Sequence, residues 1–351
     1  MSAPQRTLKI QGALRHTFEY GMAFIDLVHY DAPYFLLRIT MTATDLGLTH
    51  ELLTDLFPQP QSPDEWEQYL LSDEQLRQYK EKGYVHGVRL LNDRQVDALR
   101  TQLSEMVQPE HEGHQFFYEY HSNESSNENS TLFHALGAWR VRPAYHDILW
   151  NPAFQMAAYQ LIGAGCRLFH DQLFSKPAQH GGVIAWHQDY SYWTWTTPMS
   201  HLTCWMALDD ADTENGCMYY IPGSHKWGLL DKIDLGGDME GIRKLLTPEQ
   251  IEDFDKKIPI EVKKGFASFH HPLLMHGSYE NRSDRSRRAT LINVFAEGVI
   301  SNQEGDTQPG SDNYPQIPPG EKMQGDYYPL LVNPEKNFGS FVESIHTLND
   351  V

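Results

Sequence analysis

The stretch 289-ATLINVFA-296 is one of six short apolar runs that follow Gly165, and together these runs decide the fold. Each run is rich in β-branched, aliphatic and aromatic residues, and clusters of Gly, Pro, Asn and Asp separate it from the next. The other five are Arg167–Ser175, His201–Leu208, Cys217–Ile221, Ile258–Val262 and Ala267–His271. Regular short strands with turns between them predict an antiparallel sandwich or barrel.

The segment before these runs is predicted to contain helices. Asn92 can cap a helix in which apolar residues recur at helical spacing from Val96 to Met106. A further helix fits residues 152–162, with Asn151 as its cap. The predicted fold class is therefore mainly β with flanking helices.

Three parts are expected along the chain. Residues 1–65 form an N-terminal appendage of unknown role, in which Phe24–Val28 and Tyr34–Ile39 are candidate strands. Residues 66–300 hold the helices and then the β core, as one domain. Residues 301–351 are a loop-rich tail packed on that domain.

Composition limits the classes of partner. The chain has 28 Lys and Arg against 47 Asp and Glu, which gives a formal net charge of −19. Such a charge repels phosphate backbones and anionic membrane surfaces, so we expect no nucleic acid and no membrane as partner. Three cysteines are too few for a disulfide framework, and no apolar leader follows the first residues, so a cytoplasmic location is expected.

Two motifs carry residues that could hold one metal ion. In Trp186-His187-Gln188-Asp189 the histidine and the aspartate are two apart, so in a strand they face the same side. A third candidate, His276, stands just before a glycine-bearing turn. Two imidazoles and one carboxylate leave neighbouring positions open, which Fe(II) needs to activate dioxygen, and the lack of a thiolate disfavours a structural zinc cage.

Arg287 follows His276 by eleven residues and stands just before an apolar strand. A guanidinium on an inner strand can bind a carboxylate through two parallel hydrogen bonds, and the hydroxyl of Ser278 can add a third. The distal carboxylate of 2-oxoglutarate, whose keto acid end chelates iron, would be such a ligand. Spacing and strand parity favour Arg287 over Arg288.

With these motifs the chain resembles the phytanoyl-CoA dioxygenase family of 2-oxoglutarate-dependent oxygenases. The resemblance runs from about Leu71 to Glu297. The supporting motifs are Lys176-Pro177, Trp186-His187-Gln188-Asp189, Ala207-Leu208-Asp209-Asp210, Asn215-Gly216, Ile221-Pro222-Gly223-Ser224-His225 and His271-Pro272-Leu273-Leu274-Met275-His276-Gly277-Ser278.

The resemblance implies a double-stranded β-helix core (a cupin-like jelly roll) and a dioxygenase that uses Fe(II), 2-oxoglutarate and O2. Its activity would be hydroxylation of a C–H bond in a small-molecule substrate, with release of succinate and CO2. It assigns iron binding to His187, Asp189 and His276. It assigns the co-substrate pocket to Arg287, Ser278, Trp205 and Gln172. Because Asp189 is present, halogenation is disfavoured.

Two alternatives stay open at this point. A cupin-like isomerase or a zinc hydrolase could use the same three ligands without 2-oxoglutarate, and a non-catalytic metal-binding module is also compatible with them. Of the neighbours His270 and His271, at most one can face the site, and His271 is favoured either as a packed residue or as one that supports a metal ligand. The sequence leaves the substrate's identity and the oligomeric state open.

Overall fold

The computed structural model describes residues 23–25, 39–41, 43–302 and 314–351, and it divides the chain into two compact units, Met1–Thr44 and Asp45–Val351. In the first unit, strand β1 (Ala23–Ile25) pairs with the antiparallel strand β2 (Ile39–Met41). The candidate strands Phe24–Val28 and Tyr34–Ile39 lie largely outside the described residues. Everything that follows concerns the second unit.

Residues 45–65, which the sequence analysis assigned to the appendage, lie in the second unit. Leu56 and Phe57 are buried in its main apolar core. The carboxylate of Asp147 accepts hydrogen bonds from the backbone N–H groups of Leu53 (2.9 Å) and Thr54 (2.7 Å). These contacts join the segment to the following domain, so the compact unit begins about twenty residues before the predicted boundary.

The described chain has seven short α-helices, five of which begin after a residue whose side chain accepts a hydrogen bond from the first turn. They are α1 (Pro63–Glu67), α2 (Asp73–Lys82), α3 (Asp93–Met106), α4 (Pro143–Asp147), α5 (Pro152–Ile162), α6 (Pro248–Phe254) and α7 (Pro334–Phe338). The side chain of Asn92 accepts a hydrogen bond from the N–H of Gln95, and that of Asn151 accepts from Ala153 and Phe154. The helices predicted after Asn92 and over 152–162 are therefore confirmed.

Fourteen strands form the β structure of the second unit as far as it is described. They are β3 (Tyr84–Arg89), β4 (Glu119–His121), β5 (Phe133–Leu136), β6 (Cys166–Lys176), β7 (Ile184–His187), β8 (Thr196–Thr197), β9 (His201–Ala207), β10 (Met218–Tyr220), β11 (Ile258–Ile260), β12 (Phe266–His270), β13 (His276–Ser278), β14 (Arg287–Ala296), β15 (Ile300–Ser301) and β16 (Leu330–Val332).

Two antiparallel sheets make up the core. The larger has the order β3-β12-β9-β14-β6-β5-β4, with β16 also paired to β6, and the smaller has the order β11-β10-β13-β7. Side chains of both sheets pack together in one apolar cluster that includes Trp205 and Leu291 from the larger and Met218 and Tyr220 from the smaller. The sheets therefore form a sandwich.

The larger sheet is covered on both faces. In β9, Cys204 packs with helices α3 and α5, whereas its neighbour Trp205 packs against the smaller sheet. Every residue of β9 is buried as a result, which explains why its apolar residues do not alternate with exposed polar residues. The fold is mainly β with flanking helices, as predicted.

The tail also contacts this unit, since Leu330–Val332 pairs with β6. No helix among the described residues is long and apolar enough to cross a membrane.

Candidate metal centre

Three side chains converge where the smaller sheet ends. His187 is the last residue of β7 and lies opposite His276, the first residue of β13, in the antiparallel pair. Asp189 opens a short 3-10 turn after β7, and the extended backbone of Gln188 keeps it on the same side as His187. One ligand atom from each of the three residues lies within 4.8 Å of the other two, and all three residues are buried. The geometry suits a single ion.

The two imidazoles are oriented by backbone carbonyls. His187 Nδ1 lies 2.7 Å from the carbonyl oxygen of Ala185, and His276 Nδ1 lies 2.8 Å from that of Leu274. A carbonyl can only accept, so each Nδ1 carries the proton and donates. Each Nε2 therefore carries a free lone pair, and both Nε2 atoms lie 3.4 Å from the same Oδ1 of Asp189. This tautomer is the one that binds metal ions.

The other oxygen of Asp189 is held by the larger sheet. Oδ2 accepts a hydrogen bond from the hydroxyl of Thr203 at 2.6 Å and lies 3.1 Å from His270 Nε2, which donates to it. His270 Nδ1 in turn accepts from the hydroxyl of Tyr220 at 3.1 Å. Only Oδ1 remains free, so the carboxylate is prepared to offer one oxygen to an ion.

Sequence reasoning missed the contacts of Thr203 and His270 with Asp189, whereas His271 is a packed residue, one of the two roles predicted for it. His271 packs against His225, with 5.2 Å between ring centroids, and its pKa is lowered to about 4 by burial. Adjacent strand residues face opposite sides, but alternation alone does not show which of the two faces the site. The choice follows from the register, in which His270 pairs with Thr203 across β12 and β9.

The charges at this centre match a metal site. Burial raises the pKa of Asp189, but the neighbouring His276, His187 and His270 outweigh it and hold the pKa well below its usual value. Burial, followed by the proximity of His187, lowers the pKa of His276 well below its usual value. An ionised carboxylate beside a neutral imidazole is the protonation state that metal binding requires.

A second polar group lies at the start of β14. Arg287 is fully buried, and its Nε and Nη2 donate to the carbonyl oxygen of Gly216 at 3.0 and 2.9 Å. Nη2 also donates to Ser278 Oγ at 2.8 Å, whereas Nη1 is buried without a partner. Burial lowers the pKa of Arg287 to about 10, so the guanidinium is charged at neutral pH.

Lys176, which the sequence analysis quoted only as part of a motif, lies beside Arg287 because the two residues pair across β6 and β14. Its Nζ donates to Ser278 Oγ at 2.6 Å and to the carbonyl oxygen of Tyr279 at 2.6 Å. Burial and the nearby Arg287 lower the pKa of Lys176 well below its usual value, so Arg287 carries the positive charge of this place. Within the described ranges no carboxylate forms an ion pair with either residue. A buried cation without a counter-charge is unfavourable, so this place favours an anion.

A cavity of about 510 Å³ opens onto the metal centre. His187, Asp189 and His276 line it, as do Gln172 and Trp205, but Arg287 and Ser278 do not. The guanidinium of Arg287 lies 5.5 Å from the ring centre of Trp205, so one aromatic side chain stands next to both the cavity and the buried cation. The Gln172 amide donates to His170 Nε2 at 3.0 Å.

Comparison with known proteins identifies the family. The phytanoyl-CoA dioxygenase family model matches residues 79–289, which is more than half of the chain. The chain is 25% identical over 277 residues to phytanoyl-CoA dioxygenase domain-containing protein 1 of Danio rerio (64% of this chain, 90% of the relative). It is 29% identical over 264 residues to phytanoyl-CoA dioxygenase 1 of Oryza sativa subsp. japonica (64% and 89%).

A solved structure confirms the jelly-roll fold. The non-heme alpha ketoglutarate dependent carbocyclase SnoK from nogalamycin biosynthesis superposes with a TM-score of 0.61 at 23% identity, covering 78% of this chain and all of SnoK. The chain belongs to the phytanoyl-CoA dioxygenase family of oxygenases, which work with Fe(II), 2-oxoglutarate and O2.

Proposed function

We propose that His187, Asp189 and His276 bind Fe(II) and that Arg287 and Ser278 bind the distal carboxylate of 2-oxoglutarate. On this basis the chain hydroxylates a C–H bond of a small organic molecule. One observation carries the proposal: three ligand atoms lie within 4.8 Å of one another, while the second polar atom of each ligand is already bonded to protein.

The donor set fits ferrous iron. Two neutral imidazole nitrogens and one carboxylate oxygen are borderline and hard ligands, and three protein ligands on one side leave further positions open. Thr203 and His270 hold Asp189 to a single free oxygen, which keeps the carboxylate from occupying two of those positions.

The buried guanidinium of Arg287 fits a dicarboxylate co-substrate. Arg287 Nη1 has no partner, so it can donate to a carboxylate oxygen without breaking an existing bond. Ser278 Oγ accepts hydrogen bonds from Arg287 and Lys176, and its hydroxyl, which donates to the carbonyl oxygen of Gly216 at 2.9 Å, can exchange that bond for one to the same anion. A cupin-like isomerase or hydrolase would use the three metal ligands but would leave Arg287 without a counter-charge.

When bound, Fe(II) and 2-oxoglutarate supply the oxidation: 2-oxoglutarate and O2 are converted to succinate and CO2, and the second oxygen atom enters a substrate C–H bond to give an alcohol. The chain's own residues hold the ligands, anchor the diacid and enclose the substrate. Trp193, Trp195 and Trp205 line the cavity and limit the access of water to it. Gln172 is proposed to border the co-substrate from β6.

We also propose that residues 66–300, against which the segment 45–65 packs, form the dioxygenase domain, and that the protein works in the cytoplasm. Every proposed site residue lies between Gln172 and Arg287. Three buried free thiols, Cys166, Cys204 and Cys217, are consistent with a reducing compartment. Fractionation of cells that express the full chain would test the location, and recovery in an organelle would reject it.

The reaction is tested with heavy-oxygen-labelled dioxygen. Fe(II)-loaded protein, 2-oxoglutarate and a metabolite extract should give succinate with one heavy oxygen atom and a product that has gained one heavy oxygen atom. Protein loaded with Zn(II), which has no redox chemistry, is the matched control. Consumption of 2-oxoglutarate without label in any product would reject hydroxylation, and no consumption would reject the proposed function.

A further inference from the structure

The wall of the cavity is acidic. Glu119, Glu124 and Asp234 line it in addition to Asp189, and among the described lining residues none is Lys or Arg. Carboxylates in a confined space attract cations and repel anions, and the net charge of −19 acts in the same direction. In the proposed function, iron binds to Asp189 and 2-oxoglutarate binds to Arg287. The other three carboxylates of the wall therefore remain available to the substrate.

Aromatic rings surround the same space. They are Phe174, Tyr192, Trp193, Trp195, Trp205 and Tyr314. The face of an aromatic ring carries partial negative charge and attracts an organic cation, more strongly when water is excluded. Carboxylates together with aromatic faces are therefore suited to a molecule that joins a positive charge to an apolar body.

The neighbouring side chains of His134 and Glu124 in this wall can accept hydrogen bonds from a ligand. His134 is 8% exposed and stacks on Phe174, with 4.3 Å between ring centroids. Its Nδ1 lies 2.8 Å from Glu124 Oε2, within ion-pair distance, and its Nε2 is buried without a hydrogen-bond partner. A neutral imidazole with an unpaired nitrogen can accept a hydrogen bond from an N–H group.

Glu124 is available as an anion. Burial raises its pKa, but His134 and His121 outweigh this effect and bring the pKa below the usual value. Its side chain is 28% exposed, so it is partly desolvated and can still be reached from the cavity. The carboxylate is thus ionised at neutral pH and is not paired with any Lys or Arg of the described chain.

Two loops fix the position of these acids. Glu124 lies in the loop 122–130 and Asp234 in the loop 227–240, and the N–H of Ser126 donates to the carbonyl oxygen of Gly236 at 3.3 Å. A Cβ at Gly236 would lie 2.7 Å from the carbonyl oxygen of Glu124, so glycine permits this close approach. The acidic wall is therefore built by a direct contact between the loops.

We propose that the cavity binds a small molecule carrying a protonated amine, with the ammonium group held by Glu124 and His134 and the apolar body lying against the aromatic rings. The reacting C–H bond would then face the metal centre, which rests on the proposed function. An acyl-coenzyme A thioester, with its phosphate groups, does not fit this wall.

The test compares three probes of nearly equal size: benzylamine, benzyl alcohol and benzoate. Each is titrated calorimetrically, without oxygen, into protein loaded with Fe(II) and 2-oxoglutarate. Benzylamine should bind about tenfold tighter than benzyl alcohol, which corresponds to one partly buried charge interaction, and benzoate should bind weakest. Added salt should weaken only the binding of benzylamine.

The variant Glu124→Gln removes the charge with little change of shape. It should reduce the preference for benzylamine over benzyl alcohol about fivefold or more and leave the affinity for benzyl alcohol unchanged. Glu128→Gln is the matched control, because Glu128 is in the same loop, is exposed and does not line the cavity.

Equal affinity for amine and alcohol, no binding of benzylamine, or an unchanged preference in Glu124→Gln would overturn the proposal. These outcomes differ from failure of the proposed function, which would show as absent binding of 2-oxoglutarate to Fe(II)-loaded protein before any probe is added.

Discussion

Two buried polar groups lie in the same sandwich, and they differ in what the protein has already supplied. At the metal centre, every polar atom except His187 Nε2, His276 Nε2 and Asp189 Oδ1 is bonded to protein. At the base of β14, the guanidinium of Arg287 and the amine of Lys176 are bonded only to neutral oxygens, and Arg287 Nη1 has no partner.

This difference indicates which ligand each group lacks. The first carries the negative charge of Asp189 and lacks a cation that takes three lone pairs. The second carries buried positive charge and lacks an anion, so it is unfavourable until one arrives. The unpaired atoms of each group therefore describe its ligand, and removing residues from one group should leave the ligand of the other unaffected.

The largest effect is expected at the metal centre. Asp189→Ala should lower the affinity for Fe(II) by more than about 100-fold, since residues that merely orient metal ligands already contribute about 10- to 100-fold. Succinate formation should fall with it. Asp97→Ala, on the exposed face of α3, is the control and should behave as the unchanged protein. Normal turnover by Asp189→Ala would contradict the ligand assignment.

The second effect is expected at the buried cation. Arg287→Gln should weaken 2-oxoglutarate binding by about 10- to 100-fold, because a hydrogen bond to a charged group contributes about 1.5–3 kcal/mol. Iron affinity should not change, which calorimetry with each ligand would show.

Arg288→Gln is its control. Arg288 is the next residue in β14, and its guanidinium donates to Asp209 at 2.8 Å, on the opposite face of the sheet. It should alter stability but not 2-oxoglutarate affinity. If both variants weakened 2-oxoglutarate binding equally, the assignment of the buried anion site to Arg287 would be contradicted.

A smaller effect separates the neighbours His270 and His271. His270→Phe keeps a ring of similar size but removes the hydrogen bond to Asp189, so iron affinity should fall about tenfold. His271→Phe should leave it unchanged, since His271 packs on His225. Metal titration of both variants would check this, and an equal loss in both would mean that packing, not the hydrogen bond, matters.

The smallest effect is expected far from both groups. Asn92→Ala removes the side-chain cap of α3 and should lower the free energy of unfolding by about 1 kcal/mol. Its affinities for Fe(II) and 2-oxoglutarate should stay the same. Denaturant unfolding would measure the loss of stability, and the two titrations would measure the affinities for Fe(II) and 2-oxoglutarate. A change in either affinity would show that a loss of stability alone can weaken ligand binding.

The sequence predicts best what depends on neighbours in the chain. The capping residues Asn92 and Asn151 correctly predicted the starts of two helices. The His-X-Asp spacing in an extended segment correctly predicted that His187 and Asp189 face the same side. Alternation also chose Arg287 as the inward residue, and the structure has it buried while Arg288 pairs with Asp209. These patterns need no knowledge of how strands pair.

Cross-strand features were not predictable in this way. Thr203 and His270 meet Asp189 only because β9 and β12 pair in one register, and Lys176 meets Arg287 only because β6 pairs with β14. The acidic wall depends on the contact between Ser126 and Gly236, two loop residues 110 positions apart. Loop contacts of such separation carry no periodic signal.

The most direct test of the account is a calorimetric titration of 2-oxoglutarate, without oxygen, into Fe(II)-loaded and metal-free protein. If iron and the guanidinium of Arg287 bind the two ends of one molecule, one 2-oxoglutarate per chain should bind. Its affinity should be about tenfold or more higher when iron is present. Equal affinity with and without iron, or no binding to either form, would contradict it.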